Sequence, residues 1–455
     1  MLHCIFASIA KMESGQISML KKTCGSIEKM KFSLAIIALS VLSVAHAEDP
    51  GTEVNKFLAK ETDNRFQLTF EFRTRFETRQ DNNFGRSADL ENPLFRTRIG
   101  AHYKVADWLK LTAVGQDSRA PDYGGAAPTS ARDSMDLHEA YAEFFPDKPG
   151  FGAIVGRQSF TLGDGRVIGV PQWRNTSRTY DAARLYHRSS FARIEFLFVS
   201  QVDVKPDTFN KPRLGDRLYG LYNTFLQAIP KATADIYILR RDQNRPGGFL
   251  LPGTLAINTF GGNLVGLLPG GVRYKTEEAF QTGKNSVKQH RGFGAFGDIG
   301  KTFGKVSVSA QYIYASGDSG KDPKRETTFD QLYAANHDKF GHADLFGWRN
   351  IHDLRSLTTV PVTKHLNANF MYDNWWLASK TDALYDGNGK SIVRSAKGIA
   401  GRHVGQEFDL FGTYQMAKGL MFGTGVAKLV AGEFLKNITP NPHTLYFYVF
   451  QNYSF

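Results

Sequence analysis

The chain has 455 residues, with 56 Lys and Arg against 44 Asp and Glu, a formal net charge of +12, 13% aromatic residues and two cysteines. Mean hydropathy is negative, and no segment has the long continuous apolar run of a membrane-spanning helix, which excludes a helical membrane protein. Cys4 and Cys24 both precede residue 48, so the rest of the chain offers no disulfide frame, no thiolate metal site and no catalytic thiol.

Residues 1–29 carry no apolar run of useful length and read as a mis-called start or an extension. Met30-Lys31 then opens an apolar run from Phe32 to Val44, followed by Ala45-His46-Ala47 and the acids Glu48-Asp49. A positive start, a short apolar stretch and a small-x-small site predict a secretory signal peptide over 30–47, cleaved after Ala47. The run is shorter than the ~20 residues a bilayer-crossing helix needs. Cleavage would leave 455 less 47, or 408 residues. Removing five Lys and two acids leaves 51 basic and 42 acidic residues, a net of about +9. Residues 48–64 read as a flexible periplasmic lead-in.

From Arg65 the chain alternates. Phe66, Leu68, Phe70, Phe72 and Phe76 fall on one face, and Gln67, Glu71, Arg73, Arg75 and Glu77 on the other. A period of two with one apolar and one charged face is a strand. Similar patterns predict strands near 65–79, 94–105, 108–119, 137–145, 151–159, 181–188, 191–200, 215–225, 232–241, 255–265, 272–281, 290–300, 305–315, 348–359, 365–378, 402–416, 419–433 and 444–455. The joints alternate in length. Short ones fall at 106–107, 146–150, 189–190, 226–230, 301–304 and 417–418; long ones at 80–93, 120–136, 160–180, 201–214, 316–347 and 379–401. Tight turns alternating with long loops predict an all-β fold: a transmembrane up-and-down antiparallel β-barrel of about 18 strands over 65–455, with both termini periplasmic. Its outer face would meet outer-membrane lipid. Tyr103, Trp108, Tyr141, Trp375 and Trp376 would suit interfacial girdles.

The last strand ends on Phe455, with Tyr453, Val449, Phe447 and Leu445 at alternate preceding positions and Gln451 departing from the pattern. A terminal aromatic in this setting resembles the assembly signal of bacterial outer-membrane proteins. Tyr446, Tyr448 and Phe450 make the other face apolar as well.

A barrel this wide can hold an aqueous channel, whose selectivity comes from the side chains lining the lumen. Arg73 and Arg75 share the polar face of the first strand. Arg96 and Arg98, with His102 and Lys104, share one face of the second. Arg157 ends the fifth strand, Arg166, Arg174 and Arg178 sit in the loop after it, and Arg184 lies on the sixth. Guanidinium groups stay charged and pair bidentately with carboxylates, so such a ladder suits carboxylated anions. Glu71, Glu139 and Glu143 could pair with some of them and divide one deep well into several shallow ones. The competing structural reading is that the arginine rows pair with acids and hold the wall apart from its loops.

Several motifs in order resemble the alginate export family: Gly156-Arg-Gln158, Gly163-Asp-Gly-Arg-Val-Ile-Gly169, Trp173-Arg-Asn175 and Arg178-Thr-Tyr-Asp181. Tyr237-Ile-Leu-Arg-Arg-Asp242, Glu278-Ala-Phe-Gln-Thr-Gly283, Tyr314-Ala-Ser-Gly-Asp318, Phe329-Asp-Gln-Leu-Tyr333, Ala378-Ser-Lys-Thr-Asp-Ala-Leu-Tyr385 and Gly405-Gln-Glu-Phe-Asp409 are similar too. The resemblance implies an eighteen-stranded outer-membrane barrel whose arginine-rich lumen passes an anionic uronate polymer, and it implies periplasmic export partners. It further implies that Arg75, Arg98, Arg157 and Arg184 are lumenal, and that 160–180 folds inward as a constriction. It does not choose between a polymer exporter and a general or anion-preferring diffusion porin.

Other signals are set aside. Gly292-Phe-Gly-Ala-Phe-Gly297 lies within a strand pattern and lacks the βαβ setting of a dinucleotide site. Asp318-Ser-Gly-Lys-Asp322 lacks the spacing and closing Glu of a calcium-binding EF-hand. His337, His342 and His352 have no ligand spacing and read as residues of an exposed loop and the strand after it, so no cofactor is expected. The basic residues alternate along strands and form no patch for nucleic acid. An enzyme would need a Ser or Asp beside His138 or His187 at the rim, and a purely adhesive barrel would present its loops over a blocked lumen.

Overall fold

The structure is a computed structural model, and it describes residues 50–455 apart from 122, 124–126, 146 and 246–252. The extension, the signal peptide over 30–47 and both cysteines lie outside the described residues. The first elements are α1 (Pro50–Glu61), β1 (Phe66–Gln80), α2 (Asn82–Gly85), β2 (Leu90–Ala106), β3 (Leu109–Arg119), β4 (Asp133–Phe144), β5 (Gly150–Gln158), β6 (Tyr180–Arg188) and β7 (Ala192–Asp203). Then come β8 (Lys211–Ile229), β9 (Ala232–Arg245), β10 (Gly253–Leu268), β11 (Val272–Asn285), β12 (Lys288–Phe303), β13 (Val306–Ala315) and β14 (Arg325–Glu326). The chain ends with β15 (Ile351–Pro361), β16 (Leu366–Leu377), β17 (Ala383–Tyr385), β18 (Ser391–Arg394), β19 (His403–Ala417), β20 (Leu420–Ala431), α3 (Glu433–Ile438) and β21 (Thr444–Ser454).

Setting aside the loop strands β14, β17 and β18, eighteen strands pair antiparallel with their neighbours in chain order. β1 then pairs with β21, Phe72 opposite Tyr453 and Phe76 opposite Val449, and the sheet closes on itself. A closed sheet pairs its strands on both sides, as a bilayer demands, save at the start of β1, which runs past the end of β21. Each strand read from the alternation is present. Some elements run longer than the clearest pattern: β8 covers Lys211–Ile229 where the alternation predicts 215–225.

The lead-in differs from expectation. It folds as α1, whose Asn55 amide donates to the carbonyl of Leu68 (2.8 Å) while its oxygen accepts from Leu68 N (2.8 Å). Short turns, α1 and the C-terminal end of β21 share one rim, and most of the described long loops share the other. The exception on the long-loop rim is Ser286-Val287, a two-residue joint between β11 and β12.

Outward positions are apolar on strand after strand: Ile194, Phe196 and Phe198 on β7, Ile236 and Ile238 on β9, and Leu410 on β19 are all exposed. Tyr103 and Trp108 join this exposed set, as girdle residues should. Trp375 and Tyr141 do not. Trp375 is fully buried against Phe346 (centroids 4.9 Å apart), and Tyr141 stands opposite Thr112 on the inward face.

The main hydrophobic core lies inside the barrel. Leu197, Val199, Leu218, Tyr237, Leu239 and Ile257 of the wall pack with Phe160 and Ile168 of the 159–179 loop and with Phe329, Phe340, Phe346 and Trp348 of the 316–350 loop. The second of these loops is therefore not the exposed segment expected for it. A run holding this many aromatic residues loses less by folding into the lumen than by standing in water. β5 and β6 have only 9 residues each, against 19 in β8 and 16 in β12, so the wall is lowest where the 159–179 loop turns inward.

Candidate functional site

The arginines of β1 and β2 hold the inward loop in place. Register sets Arg73 opposite Arg96 and Glu71 opposite Arg98, and like charges facing across a ladder repel. The repulsion is offset by acceptors. Arg73 donates to the carbonyls of Gln172 (2.9 Å), Trp173 (3.2 Å) and Arg174 (3.2 Å). Arg96 donates to those of Gln172 and Arg174 (3.1 Å each) and pairs with Glu71 at 2.5 Å. Arg75 donates to the Trp173 carbonyl, pairs with Glu77, and lies 4.0 Å over the Trp173 ring. Arg98 keeps slightly more solvent contact and bonds Gln116 (2.7 Å) and Gln172 Oε1 (3.1 Å), with Glu71 3.6 Å away.

Trp173 is the anchor of this loop. Its ring stacks on His337 at 4.3 Å, meets Tyr448 and Phe450 edge-on at 4.7 and 5.8 Å, and donates from Nε1 to the Tyr446 hydroxyl at 3.2 Å. The second apolar face of the last strand is thus the seat of the loop. Asn175 adds donations to the carbonyls of Phe95, Arg119 and Ala131.

The remaining sequence-predicted residues divide. Arg184 faces inward, paired with Glu195 and 4.2 Å over Phe160. Arg166 is buried in the loop beside Asp164 (3.2 Å) and 3.6 Å over Phe296; burial lowers its guanidinium below the ordinary range against the pull of Asp164. Glu139 accepts from Ser159 at the loop's start, and Glu143 stands opposite Lys110, so of the three acids only Glu71 joins the ladder. Arg157 is a correction. It is in step with the exposed Val155 and Phe151 and opposite Ala140 and Asp181, which puts it on the outer face near the loop rim, paired with Asp181 at 2.8 Å. His187 faces outward too, against Phe151 (4.8 Å).

Between the loops and the low wall is a cavity of about 260 Å³. Arg174, Arg178, Arg213, Arg241 and Arg349 line it, with Asp133 and Asp330 as the lining carboxylates; Asp203 and Asp216 pair with Arg213 and Arg241 from behind, so five cations stand against four anions and the excess is one positive charge. Three of these arginines are committed. Arg178 donates to the carbonyls of Gly169 and Ala334 (3.1 Å each) and of Tyr333. Arg241 holds Asp216 with two bonds of 2.9 Å and Asp330 with a third. Arg213 lies between Asp203 and Asp216. Burial would raise the Asp330 carboxyl, but Arg241 and Arg349 hold it below the usual carboxylate range.

Arg174 and Arg349 are less committed. The Arg174 side chain meets Asn388, and burial together with neighbouring Arg178 pushes its guanidinium down to about 10, so it stays charged near neutrality. Arg349 lies 3.7 Å from Asp330 and 4.6 Å over Tyr385. Sequence reasoning found Arg174 and Arg178 but missed Arg213, Arg241 and Arg349. Arg241 had a signal: Tyr237, Leu239 and Arg241 alternate with the exposed Ile236 and Ile238. Arg349, at the end of a long loop, had none.

The sequence model named Alginate export matches residues 64–448. The chain belongs to the alginate export family. No curated protein matches it in sequence. Among solved structures it is similar to the outer membrane protein opdK from Pseudomonas aeruginosa, with a TM-score of 0.60, 11% identity, and cover of 86% of this chain and 99% of that one. OpdQ of the same organism gives 0.60, 11%, 86% and 97%. OccAB2 of Acinetobacter baumannii gives 0.60, 10%, 86% and 98%. At these identities the likeness is one of fold. Family membership and a closed barrel with an apolar outer face make this a channel-type protein of the bacterial outer membrane.

Proposed function

We propose that this member of the alginate export family passes anionic, uronate-type saccharides through its lumen, with Arg174 and Arg349 as a carboxylate-binding station that Arg178 braces from behind through the loop carbonyls it holds. The observation that carries the reading is that Arg174 and Arg349 line the cavity enclosed by the inward loops without a close carboxylate partner, Arg174 meeting Asn388 and Arg349 standing 3.7 Å from Asp330. Arg174 and Arg349 keep donors for a passing carboxylate, while the ladder of Arg73, Arg75, Arg96 and Arg98 positions the loop that presents them. Conduction needs binding that is weak and spread over several sites, and arginines whose donors are partly occupied, Arg349 by Asp330 and Arg174 by the Asn388 amide oxygen, suit that need. The short-turn rim would be the periplasmic one, where export partners would meet the channel.

The cavity size favours a second reading beside this one. At about 260 Å³ it fits a sugar-sized acid rather than a polymer strand. Polymer passage would require the 159–179 and 316–350 loops to move, whereas small anions could use the lumen as a general anion-preferring porin. Reversal potential across a planar bilayer under a salt gradient tests what the two readings share. Anion selectivity is expected, and cation selectivity would overturn both.

A further inference from the structure

The seam where β1 meets β21 is covered by a helix with an apolar face that no described residue covers. β21 stops at Ser454, and its last ladder contacts are the reciprocal bonds of Phe70 and Phe455 (3.1 Å each). Below that level the β21 side of β1 is open. Asn55 fills it, since its side-chain amide makes with Leu68 the same donor and acceptor pair that another strand residue would make. Gly51 sits so close to the Phe455 ring that a Cβ there would clash with it, and Lys418 in the β19–β20 turn donates to Thr52 Oγ1 at 2.6 Å.

The Phe455 ring belongs to the outer surface. It stacks on Phe70 at 5.7 Å and lies 6.1 Å from Tyr453, both in step with outward positions such as Ile99. α1 therefore continues the lipid-facing surface at the short-turn rim. Its far side is two-toned. Val54 (41% exposed) and Phe57 (63% exposed) form one stripe, closed at the end of the helix by the exposed Glu61, and Glu53, Lys56 and Lys60 form the next. A helix with adjacent apolar and charged stripes, at the level of an aromatic belt, fits the boundary between headgroups and acyl chains.

We infer that α1 is an interfacial helix that clips the first and last strands together, with Val54 and Phe57 inserted among the lipids of the leaflet at the short-turn rim. The occupant of this face is lipid, because the face is continuous with the outer surface of the barrel. Its charged stripe lies alongside, where headgroups and water would meet it.

Spin-label accessibility tests this. In a full chain carrying Cys4→Ser and Cys24→Ser, a nitroxide is placed at Phe57→Cys, with Lys60→Cys as the charged-stripe reference and Ile238→Cys as the lipid reference. The protein is reconstituted in pure phospholipid vesicles, and relaxation by oxygen is compared with relaxation by a water-soluble nickel chelate. The expected oxygen-to-nickel ratio at residue 57 exceeds that at residue 60 at least threefold and is lower than that at residue 238. A ratio at 57 equal to that at 60 would overturn the inference, and would mean that this face meets water or awaits a protein. Phe57 is exposed and outside the barrel ladder, so the substitution leaves the fold intact.

Discussion

Replacing Trp173 by alanine should loosen the inward loop without unfolding the barrel. The indole loses its stack on His337 at 4.3 Å, its edge contacts with Tyr448 and Phe450, the Arg75 guanidinium 4.0 Å above it, and its bond to Tyr446. Truncating a buried Trp typically costs ~3–5 kcal/mol. This ring is only half-buried, and Arg73 and Arg96 still grip the carbonyls of residues 172–174. A loss of ~2–3 kcal/mol in docking follows, which is roughly a 30- to 140-fold shift of the docked-to-undocked ratio. Single-channel recording should show longer openings and a larger conductance, and trypsin should cut at Arg166 or Arg174 far faster. A folded, heat-modifiable W173A barrel with unchanged closures and unchanged protease resistance would refute the reasoning.

Three further outcomes are expected. Arg174→Gln removes a charged donor from the cavity, and since a hydrogen bond to a charged group is worth ~1.5–3 kcal/mol, the oligouronate concentration for half-block should rise roughly tenfold or more. Arg157→Ala should leave the reversal potential unchanged, because the side chain faces outward, and should cost ~1–3 kcal/mol of stability, because the guanidinium is largely covered and holds Asp181 and the carbonyls of Leu137 and Asn210; a change in selectivity would show that it lines the path. His342 gives the loop a pH dependence. Burial, with His337 and Arg355 adding repulsion, pushes it down to about 2, whereas an undocked loop would return it to ~6.5. The undocked form therefore binds more protons below pH ~6.5, so docking weakens as pH falls and is untouched above that value. Between pH 7 and 5 the loss is ~2 kcal/mol; openings should lengthen over that range, and His342→Gln should abolish the trend. An identical trend in His342→Gln would contradict this.

The wall of the barrel was legible because alternation survives in nearly every strand, and in β1 charge and phenylalanine mark the two faces. It failed for Arg157 because β5 reads Gly-Phe-Gly-Ala-Ile-Val-Gly-Arg-Gln, with apolar or glycine residues on both faces before the arginine. Only the pairing with Asp181 and Ala140 settles which way that residue points. The loops were less legible, since loop residues have no period. Phe329, Phe340, Phe346 and Trp348 in one connection were a sign of burial, and they place His337 and His342 inside the lumen. The role of the β1 and β2 arginines was visible only as a choice between lumen contacts and loop supports, and the carbonyls of residues 172–174 decide for support.

The most direct test of the carboxylate-passing claim compares block of single-channel current by an oligouronate with block by an uncharged oligosaccharide of equal length, in the native channel and in an Arg174→Gln, Arg349→Gln double variant. The oligouronate is expected to block the native channel at a concentration at least tenfold lower, and the double variant is expected to lose that preference while still conducting. Equal block by both sugars in the native channel would contradict that claim and leave a barrel whose arginines serve its loops alone.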